Sequence, residues 1–404
     1  MKNLLWLVLI FGQTTVCAQT SPQNILRHIK VLSNDSLEGR GPGSAGEKLA
    51  LAYIQSQWRE LKLVPKGDGN TYTQKFAFKS GMHGSGEEGT SYNLAGYIDN
   101  HAPYTIVIGA HHDHLGLGLE SGSLDANPKN KIHNGADDNA SGVAGVIELA
   151  RYFQNNKQKE KYNFLFLCFG GEELGLYGSK YYSENPTIDL AKVNLMINLD
   201  MVGRLDPTNK GLMVSGSGTS AAFEPLLKNL SNNQVQIKTD SSGMGPSDHT
   251  SFYLKNIPVL HFFTGSHSDY HKPSDDWEKI NSKGEQDVLN VIVRLIEQLD
   301  KQPKLTFLPT KNKSMSSSRS FKVTLGVMPN YSSADQGLKV DGVTEGKPAQ
   351  KAGIQTGDLI VQIGDYVIKD IQGYMEALGK FEKGQSVPVT IKRGAEMVTI
   401  KVTF

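Results

Sequence analysis

The sequence YTIVIGAHHDHLG, residues 104–116, runs from an apolar stretch directly into a cluster of three histidines and one aspartate. The apolar part carries no charge and is rich in β-branched residues, which predicts a buried strand. The cluster, His111–His114, then lies at the carboxyl end of that strand or just beyond it. Imidazole and carboxylate groups are common zinc ligands, so the cluster indicates part of a metal site, although a solvated turn can have the same composition.

Other apolar runs alternate with segments whose apolar residues have helical spacing. The runs are YNLAGYI (92–98), NFLFLCFG (163–170), VNLMINLDMVG (193–203), GLMVSGSG (211–218) and IPVLHFF (257–263). The helical segments include SGVAGVIELARYFQNN (141–156), SAAFEPLLKNLS (220–231) and EQDVLNVIVRLIEQLDKQ (285–302). This alternation predicts an α/β domain with a mostly parallel central sheet flanked by helices on both faces.

The chain begins with MKNLLWLVLIFGQTTVCAQT, which has the pattern of a secretory signal peptide. We expect cleavage after Ala18, because small residues precede that point and the apolar run is too short to span a bilayer. Removal of Cys17 leaves Cys168 as the one cysteine, so an internal disulfide is excluded. The net charge of +1, without long blocks of either sign, does not favour nucleic acid as a partner. We therefore expect an exported protein, periplasmic or secreted.

The composition changes after residue 302. Residues 301–320 are rich in lysine, serine and proline, which is typical of a linker. The remainder has short apolar runs, turn glycines and one helical segment, and is long enough for a small domain. We predict a signal peptide at 1–18, an α/β domain at 19–303, a linker at 304–319 and a second domain at 320–404.

Acidic residues or histidines follow several of the apolar runs. The segments are HNGADDNASG (133–142), FGGEELG (169–175), NLDMVGR (198–204) and SDYHKPSDD (268–276). Ligand sites of α/β sheets lie beyond the carboxyl ends of the strands, so these side chains can meet those of His111–His114 at one edge of the sheet. In GADDNASG, either Asp137 or Asp138 could bridge two metal ions.

This ordered set resembles the co-catalytic dizinc exopeptidases related to bacterial leucyl aminopeptidases and plasma glutamate carboxypeptidase. The resemblance covers about residues 22–302 and includes LEGRGPGSAGEKLALAYI (37–54), which is similar to the first loop and long helix of that family. It implies the zinc exopeptidase fold and two Zn²⁺ ions per chain, with Mn²⁺ or Co²⁺ as possible substitutes. It also implies the ligands: His111, Asp138 and Asp200 for one ion, and Asp138, Glu173 and His271 for the other, with Asp138 as the bridge.

The same resemblance assigns Glu172 as the general base and Asp113 as the residue that orients His111. The chemistry of the residues agrees, since one of two adjacent carboxylates can bind metal while the other stays free to accept a proton. A carboxylate hydrogen-bonded to a ligand histidine fixes its tautomer. We expect His112 and His114 to be solvent-facing or hydrogen-bonded histidines, not ligands.

The C-terminal segment resembles a PDZ domain of bacterial exported proteases, in TLGVMP (324–329) and GKPAQKAGIQTGDLIVQIGDYVI (346–368). That resemblance implies that backbone amides of Leu325, Gly326 and Val327 bind the carboxylate of a C-terminal peptide or protein ligand. The peptide would add as a strand beside IQGYMEALGKF (371–381). A packing module without a ligand is the alternative.

The function that these observations favour is an exported dizinc aminopeptidase acting on peptides. A carboxypeptidase or dipeptidase would use the same metals and base. A glutaminyl cyclase-like aminoacyltransferase would need one zinc ion, whereas all five ligand positions are filled here. A non-catalytic binding protein on the same scaffold would have lost ligands or the base, and none of these residues is missing.

Overall fold

The computed structural model describes residues 19–79, 87–119, 122–310, 323–329, 336–343, 346–369 and 371–404. The predicted signal peptide (1–18) and most of the predicted linker lie outside these ranges. The strands of the first unit are β1 (Val64–Pro65), β2 (Thr73–Lys79), β3 (Glu88–Ile98), β4 (Tyr104–His111), β5 (Tyr162–Phe169), β6 (Val193–Leu199), β7 (Gly211–Ser215), β8 (Gln236–Asp240) and β9 (Val259–Phe263). Its helices are α1 (Pro22–Leu32), α2 (Ala45–Glu60), α3 (Gly142–Asn155), α4 (Tyr177–Glu184), α5 (Phe223–Leu230), α6 (His249–Tyr253) and α7 (Ser282–Leu299).

In the described part of the chain these nine strands form one sheet, in the order β1-β3-β5-β4-β6-β9-β7-β8, with β2 paired to β3. The four central strands, β5, β4, β6 and β9, are parallel to one another. β3 joins β5, and β7 joins β9, in antiparallel orientation. The α/β fold class is confirmed, and the sheet is mixed because β3, β7 and β8 run opposite to the central strands. β2 suits this outer position, since its residues alternate between buried and exposed.

Alternate residues of the central strands face two different cores, as expected for a sheet covered on both sides. In β4, Ile106 and Ile108 pack into a core that helices α1, α2, α3 and α7 cover. Val107 faces the opposite side, where Tyr182 of α4 and Phe252 of α6 pack. Both faces of the sheet are therefore covered by largely apolar cores.

Helix α2 begins with a capping arrangement that also fixes a charged side chain. The Ser44 hydroxyl accepts a hydrogen bond from the Glu47 N–H at 3.0 Å, and the Glu47 carboxylate accepts one from the Gly43 N–H at 2.7 Å. Gly46 is required between them, because a Cβ at that position would lie 1.7 Å from the Leu37 carbonyl oxygen. Glu47 is thereby held inside the protein, where it contacts His112.

The chain continues to pack on the sheet unit after α7. The Leu305 N–H donates to Asn194 Oδ1 at 2.8 Å, and the Leu308 N–H donates to the Thr219 carbonyl at 2.9 Å. The Thr310 N–H donates to the Tyr253 hydroxyl at 3.0 Å. Residues 305–310, at the start of the predicted linker, thus lie against the α/β unit. The boundaries at 303 and 320 remain predictions.

The C-terminal unit contains β10 (Val327–Pro329), β11 (Leu338–Val343), β12 (Leu359–Ile363), β13 (Tyr366–Val367), β14 (Ser386–Arg393), β15 (Glu396–Thr403), α8 (Pro348–Ala352) and α9 (Ile371–Leu378). Its strands form a separate antiparallel sheet, β10-β11-β12-β14-β15, with β13 on β12. A core of its own includes Leu325, Val340 and Val389. Among the described residues of either unit, no helix is both long and apolar enough to cross a membrane.

Candidate metal centre

The parallel arrangement of four strands explains why distant segments meet. His111 ends β4 and pairs with Phe169, the last residue of β5, while Leu199 at the end of β6 pairs with Phe262 of β9. The carboxyl ends of β5, β4, β6 and β9 therefore form one edge of the sheet. The loops that follow them carry Glu173, Asp200 and His271, and the turn before α3 carries Asp138.

A first group of ligand atoms surrounds His111. Its Nε2 atom lies 3.4 Å from Asp138 Oδ1 and 3.5 Å from Asp200 Oδ1. Two ligands of a tetrahedral zinc ion, each about 2.0–2.1 Å from the metal, are about 3.3–3.4 Å apart. The three side chains are buried or nearly so, and their chemistry and spacing fit a zinc ion.

A second group lies next to the first and shares Asp138. His271 Nε2 is 3.1 Å from Asp138 Oδ2 and 3.1 Å from Glu173 Oε2. Asp138 thus offers one oxygen to each group, which is what a bridging ligand requires. Asp137 points elsewhere, because its Oδ1 accepts the Gly203 N–H at 2.7 Å.

The electrostatics of the centre favour cations. Burial alone would lower the pKa of His111, but the carboxylates of Glu172 and Asp200 raise it well above its usual value. Burial would likewise lower the pKa of His271, and Glu173 and Asp138 raise it. The carboxylates thus create a negative potential at the centre, and this potential favours the binding of divalent metal ions.

Glu172 and Glu173 are adjacent in sequence, yet they have different surroundings. Burial raises the pKa of Glu172 well above its usual range, against the influence of His111. For Glu173, the effect of burial is outweighed by His271 and His114, so its pKa falls to about 2. Within the described residues the Glu172 carboxylate makes no hydrogen bond or ion pair. Its carboxylate is therefore available to a reactant, whereas that of Glu173 is occupied.

Asp113 contacts both His111 and the two glutamates. The His111 Nδ1 atom lies 3.2 Å from the Asp113 backbone oxygen and 3.8 Å from its Oδ1. The Asp113 carboxylate accepts the Glu172 N–H at 3.1 Å and the Glu173 N–H at 3.4 Å. The backbone oxygen is therefore the closer partner of the imidazole, and the carboxylate fixes the loop that carries the two glutamates.

His271 is oriented by the loop that follows β4. Its Nδ1 lies 2.9 Å from the Gly122 carbonyl oxygen, which can only accept, so Nδ1 donates and Nε2 presents its lone pair to the carboxylates. The Leu124 N–H also donates to the His271 carbonyl at 2.9 Å. This pairing holds a ligand that lies eight residues beyond the end of its strand.

Sequence reasoning missed several residues that support the centre. Asp275 accepts hydrogen bonds from the backbone N–H groups of Asp137 and Asp138, each at 3.0 Å, and so fixes the aspartate that is predicted to bridge the ions. The Ser247 hydroxyl donates to Asp200 Oδ2 at 2.7 Å. Asp275 stands in the segment SDYHKPSDD and Ser247 in PSDHTSFY (246–253), but no pattern in the sequence distinguishes either residue from its neighbours.

Arg40 is the supporting residue with the most hydrogen bonds to backbone carbonyls. It is almost fully buried, and its guanidinium donates to the carbonyls of His112 (2.8 Å), Leu32 (2.5 Å), Asn134 (2.6 Å) and Gly135 (3.0 Å). One side chain thus ties the loop after β4 to the turn that carries Asp138. Its place in the glycine-rich loop LEGRGPGSAG was the one signal in the sequence.

The other histidines of the cluster have different environments. His112 is turned toward α2, with Nε2 3.3 Å from Glu47 Oε1. His114 is fully buried, and its Nδ1 lies 2.7 Å from Glu173 Oε1. This contact agrees with the expectation that His114 is solvent-facing or hydrogen-bonded. His114 also forms, with Asp138 and Glu173, a group that could hold a metal ion, so the expectation that it is not a ligand stays a prediction.

Comparison with protein families gives two matches. The model described as Peptidase family M28 matches residues 93–296, half of the chain, and this range contains the five predicted ligand positions. The model described as PDZ domain matches residues 320–404.

Two relatives illustrate the similarity in sequence. Leupeptin-inactivating enzyme 1 of Streptomyces exfoliatus is 29% identical over 261 residues, which are 63% of this chain and 52% of that protein. Aminopeptidase YwaD of Bacillus subtilis (strain 168) is 24% identical over 285 residues, 67% of this chain and 56% of that protein. The chain spans about half the length of these relatives.

Solved structures share the fold of the first unit. A zinc aminopeptidase from Bacillus subtilis superimposes with a TM-score of 0.56 at 18% identity, over 74% of this chain and 97% of that chain. A glutaminyl cyclase from Porphyromonas gingivalis gives a TM-score of 0.53 at 17% identity, over 69% and 98%. At these identities the likeness establishes the fold alone.

Proposed function

Because the chain belongs to peptidase family M28, we propose that it is a zinc-dependent aminopeptidase that removes residues from the amino termini of peptides. The observation that carries this proposal is the pair of side-chain groups that share Asp138, one around His111 and one around His271, with the carboxylate of Glu172 beside them. A relative in sequence that is named an aminopeptidase supports the same activity.

Two zinc ions are the cofactors that the donor set fits. His111, Asp138 and Asp200 would hold one, and Asp138, Glu173 and His271 the other, with Mn²⁺ or Co²⁺ as possible substitutes. When bound, such a pair polarises the scissile carbonyl and makes a water molecule more acidic.

Residues of this chain would carry out the proton transfer and hold the ligands in position. Glu172 takes a proton from the attacking water and passes it to the leaving amine, a role that needs a carboxylate without a competing partner. Asp113 keeps the two glutamates in place through their N–H groups. The Gly122 carbonyl and the Asp113 backbone hold the imidazoles of His271 and His111 in the tautomer that leaves Nε2 free.

A panel of free, N-acetylated and C-amidated peptides tests the proposed specificity. We expect cleavage of the free and C-amidated peptides and none of the N-acetylated ones, because an aminopeptidase recognises a free amine. Product analysis by mass spectrometry identifies the residue released. Cleavage that needs the free carboxylate would instead indicate a carboxypeptidase, and cyclisation of N-terminal glutamine without hydrolysis would indicate a glutaminyl cyclase-like enzyme.

The C-terminal unit is proposed to bind the C-terminus of a peptide or protein at Leu325, Gly326 and Val327. Gly326 has the left-handed φ of 74° that an L side chain rarely adopts. Its N–H donates to the Thr324 hydroxyl at 3.0 Å, a bond that a ligand carboxylate would replace. Val327 begins β10, the edge strand to which a peptide could add. We also propose export with removal of residues 1–18, to a periplasmic or extracellular location.

Removing residues 311–404 tests the role of this unit. The cut after Thr310 keeps the segment that packs on Tyr253 and Thr219. We expect turnover of dipeptide-sized substrates to be unchanged, because the ligand groups and Glu172 all lie before the cut, while selection among longer peptides changes. A folded, soluble truncated protein that has lost all turnover would contradict this division of roles.

A further inference from the structure

His114 lies in the metal centre but outside the ligand set proposed above. Its Nδ1 atom is 2.7 Å from Glu173 Oε1 and 3.9 Å from Asp138 Oδ2. The ring is fully buried and meets the His271 ring edge to face, with 5.7 Å between ring centroids. Its surroundings are tight, since a Cβ on Gly135 would come within 2.5 Å of His114 Cδ2. The imidazole is therefore fixed against Glu173.

The distances distinguish a hydrogen bond between His114 and Glu173 from the coordination of one ion by both residues. Atoms that bind one tetrahedral zinc ion are about 3.3–3.4 Å apart, and His271 Nε2 lies 3.1 Å from Asp138 Oδ2 and from Glu173 Oε2. His114 Nδ1 is closer to Glu173 than that spacing, at 2.7 Å, and farther from Asp138, at 3.9 Å. A contact of 2.7 Å is the length of a charge-assisted N–H···O⁻ hydrogen bond.

The two oxygens of Glu173 thus have different partners. Oε1 contacts His114 Nδ1, whereas Oε2 faces His271 Nε2. An ionised carboxylate can only accept, so Nδ1 carries the proton. Within the described residues Nε2 of His114 has no hydrogen-bond partner, which leaves the bond to Glu173 as the polar contact of this side chain.

We propose that His114 is a positioning residue for the second metal ion: it donates Nδ1–H to Glu173 Oε1 and thereby leaves Oε2 as the single oxygen that Glu173 offers with His271 and Asp138. A carboxylate held in this way does not rotate to chelate the ion with both oxygens, so a coordination position stays open for water or substrate. The inference rests on the two-metal site of the proposed function, and it adds an outer partner to one of its two ions.

Zinc titration of the metal-free protein tests this role without any measurement of activity. Competition with a chromophoric chelator gives the two zinc affinities of the wild type and of His114→Ala, His114→Asn and His112→Ala. His114→Asn keeps a side-chain N–H near the position of Nδ1. His112→Ala is the matched control, because it removes an equally buried histidine of the same loop whose partner is Glu47.

We expect His114→Ala to bind the first ion as the wild type does and the second about 10–100-fold more weakly, the usual cost of losing an outer partner of a ligand. His114→Asn should recover part of this loss, and His112→Ala should bind both ions with wild-type affinity.

Tight binding of two ions by His114→Ala, or an equal loss of affinity for both ions, would overturn the proposal. If His114→Ala does not fold, His114→Asn decides: second-ion affinity weaker than in His112→Ala supports the role, and no difference overturns it. A wild type that binds fewer than two ions would instead refute the two-metal site itself.

Discussion

Replacing Glu172 with glutamine is expected to reduce kcat by about 10²–10⁴-fold while both metal ions stay bound. The amide has nearly the same shape as the carboxylate but cannot accept the proton of the attacking water. Metal binding should persist, because in the described structure the Glu172 carboxylate forms no hydrogen bond or ion pair, and the ligand groups are formed by other residues. Steady-state kinetics and metal analysis of the same preparation measure both quantities.

The neighbouring substitution Glu173→Gln is the matched control for this prediction. Glu173 Oε2 lies 3.1 Å from His271 Nε2, inside the second ligand group, so this variant should lose affinity for the second ion. The two variants distinguish the roles of the adjacent glutamates: loss of turnover with metal retained indicates a general base, and loss of metal affinity indicates a ligand. Wild-type turnover in Glu172→Gln, or loss of metal from it, would remove Glu172 from the role of general base.

Replacing Arg40 with methionine is expected to lower the free energy of unfolding by about 4 kcal/mol or more. Four backbone carbonyls lose their donor, and leaving a buried polar group without a partner costs about 1–3 kcal/mol. Water that enters the space can offset part of the loss. Burial lowers the pKa of Arg40 to about 10, so a cation is also lost beside the carboxylates at neutral pH.

Urea unfolding of the metal-free proteins measures this effect. Arg59→Met is the control, since Arg59 makes one exposed side-chain hydrogen bond, to Gln55, and a cation–π contact with Tyr72. Loss of such exposed contacts costs about 1 kcal/mol or less. Equal stabilities for Arg40→Met and Arg59→Met would show that the four carbonyls find other partners. Zinc affinity should also fall in Arg40→Met, because Asn134 and Gly135 precede the bridging aspartate.

The α/β fold could be predicted from the sequence because strand and helix periods alternate strongly. The meeting of His111, Glu173 and Asp200 follows from the same pattern, since the ends of adjacent parallel strands share one edge. The antiparallel outer strands were not predicted. Strand direction there depends on the connections between strands, which carry no comparable periodic signal.

The supporting residues could not be found in the sequence because their partners are far away along the chain. Arg40 is 72 residues from His112 and 95 from Gly135, and Asp275 is 137 residues from Asp138. Such contacts depend on how loops fold over the sheet edge. His114 was expected to be either solvent-facing or hydrogen-bonded, and the structure identifies Glu173 as its partner.

Diffraction from crystals of the zinc-loaded protein, recorded at the zinc absorption edge, tests the central claim most directly. The account predicts two anomalous peaks, one within about 2.0–2.2 Å of His111 Nε2 and Asp200 and the other within that distance of His271 Nε2 and Glu173, with Asp138 between them. A single peak, or peaks that do not contact Asp138, would contradict it.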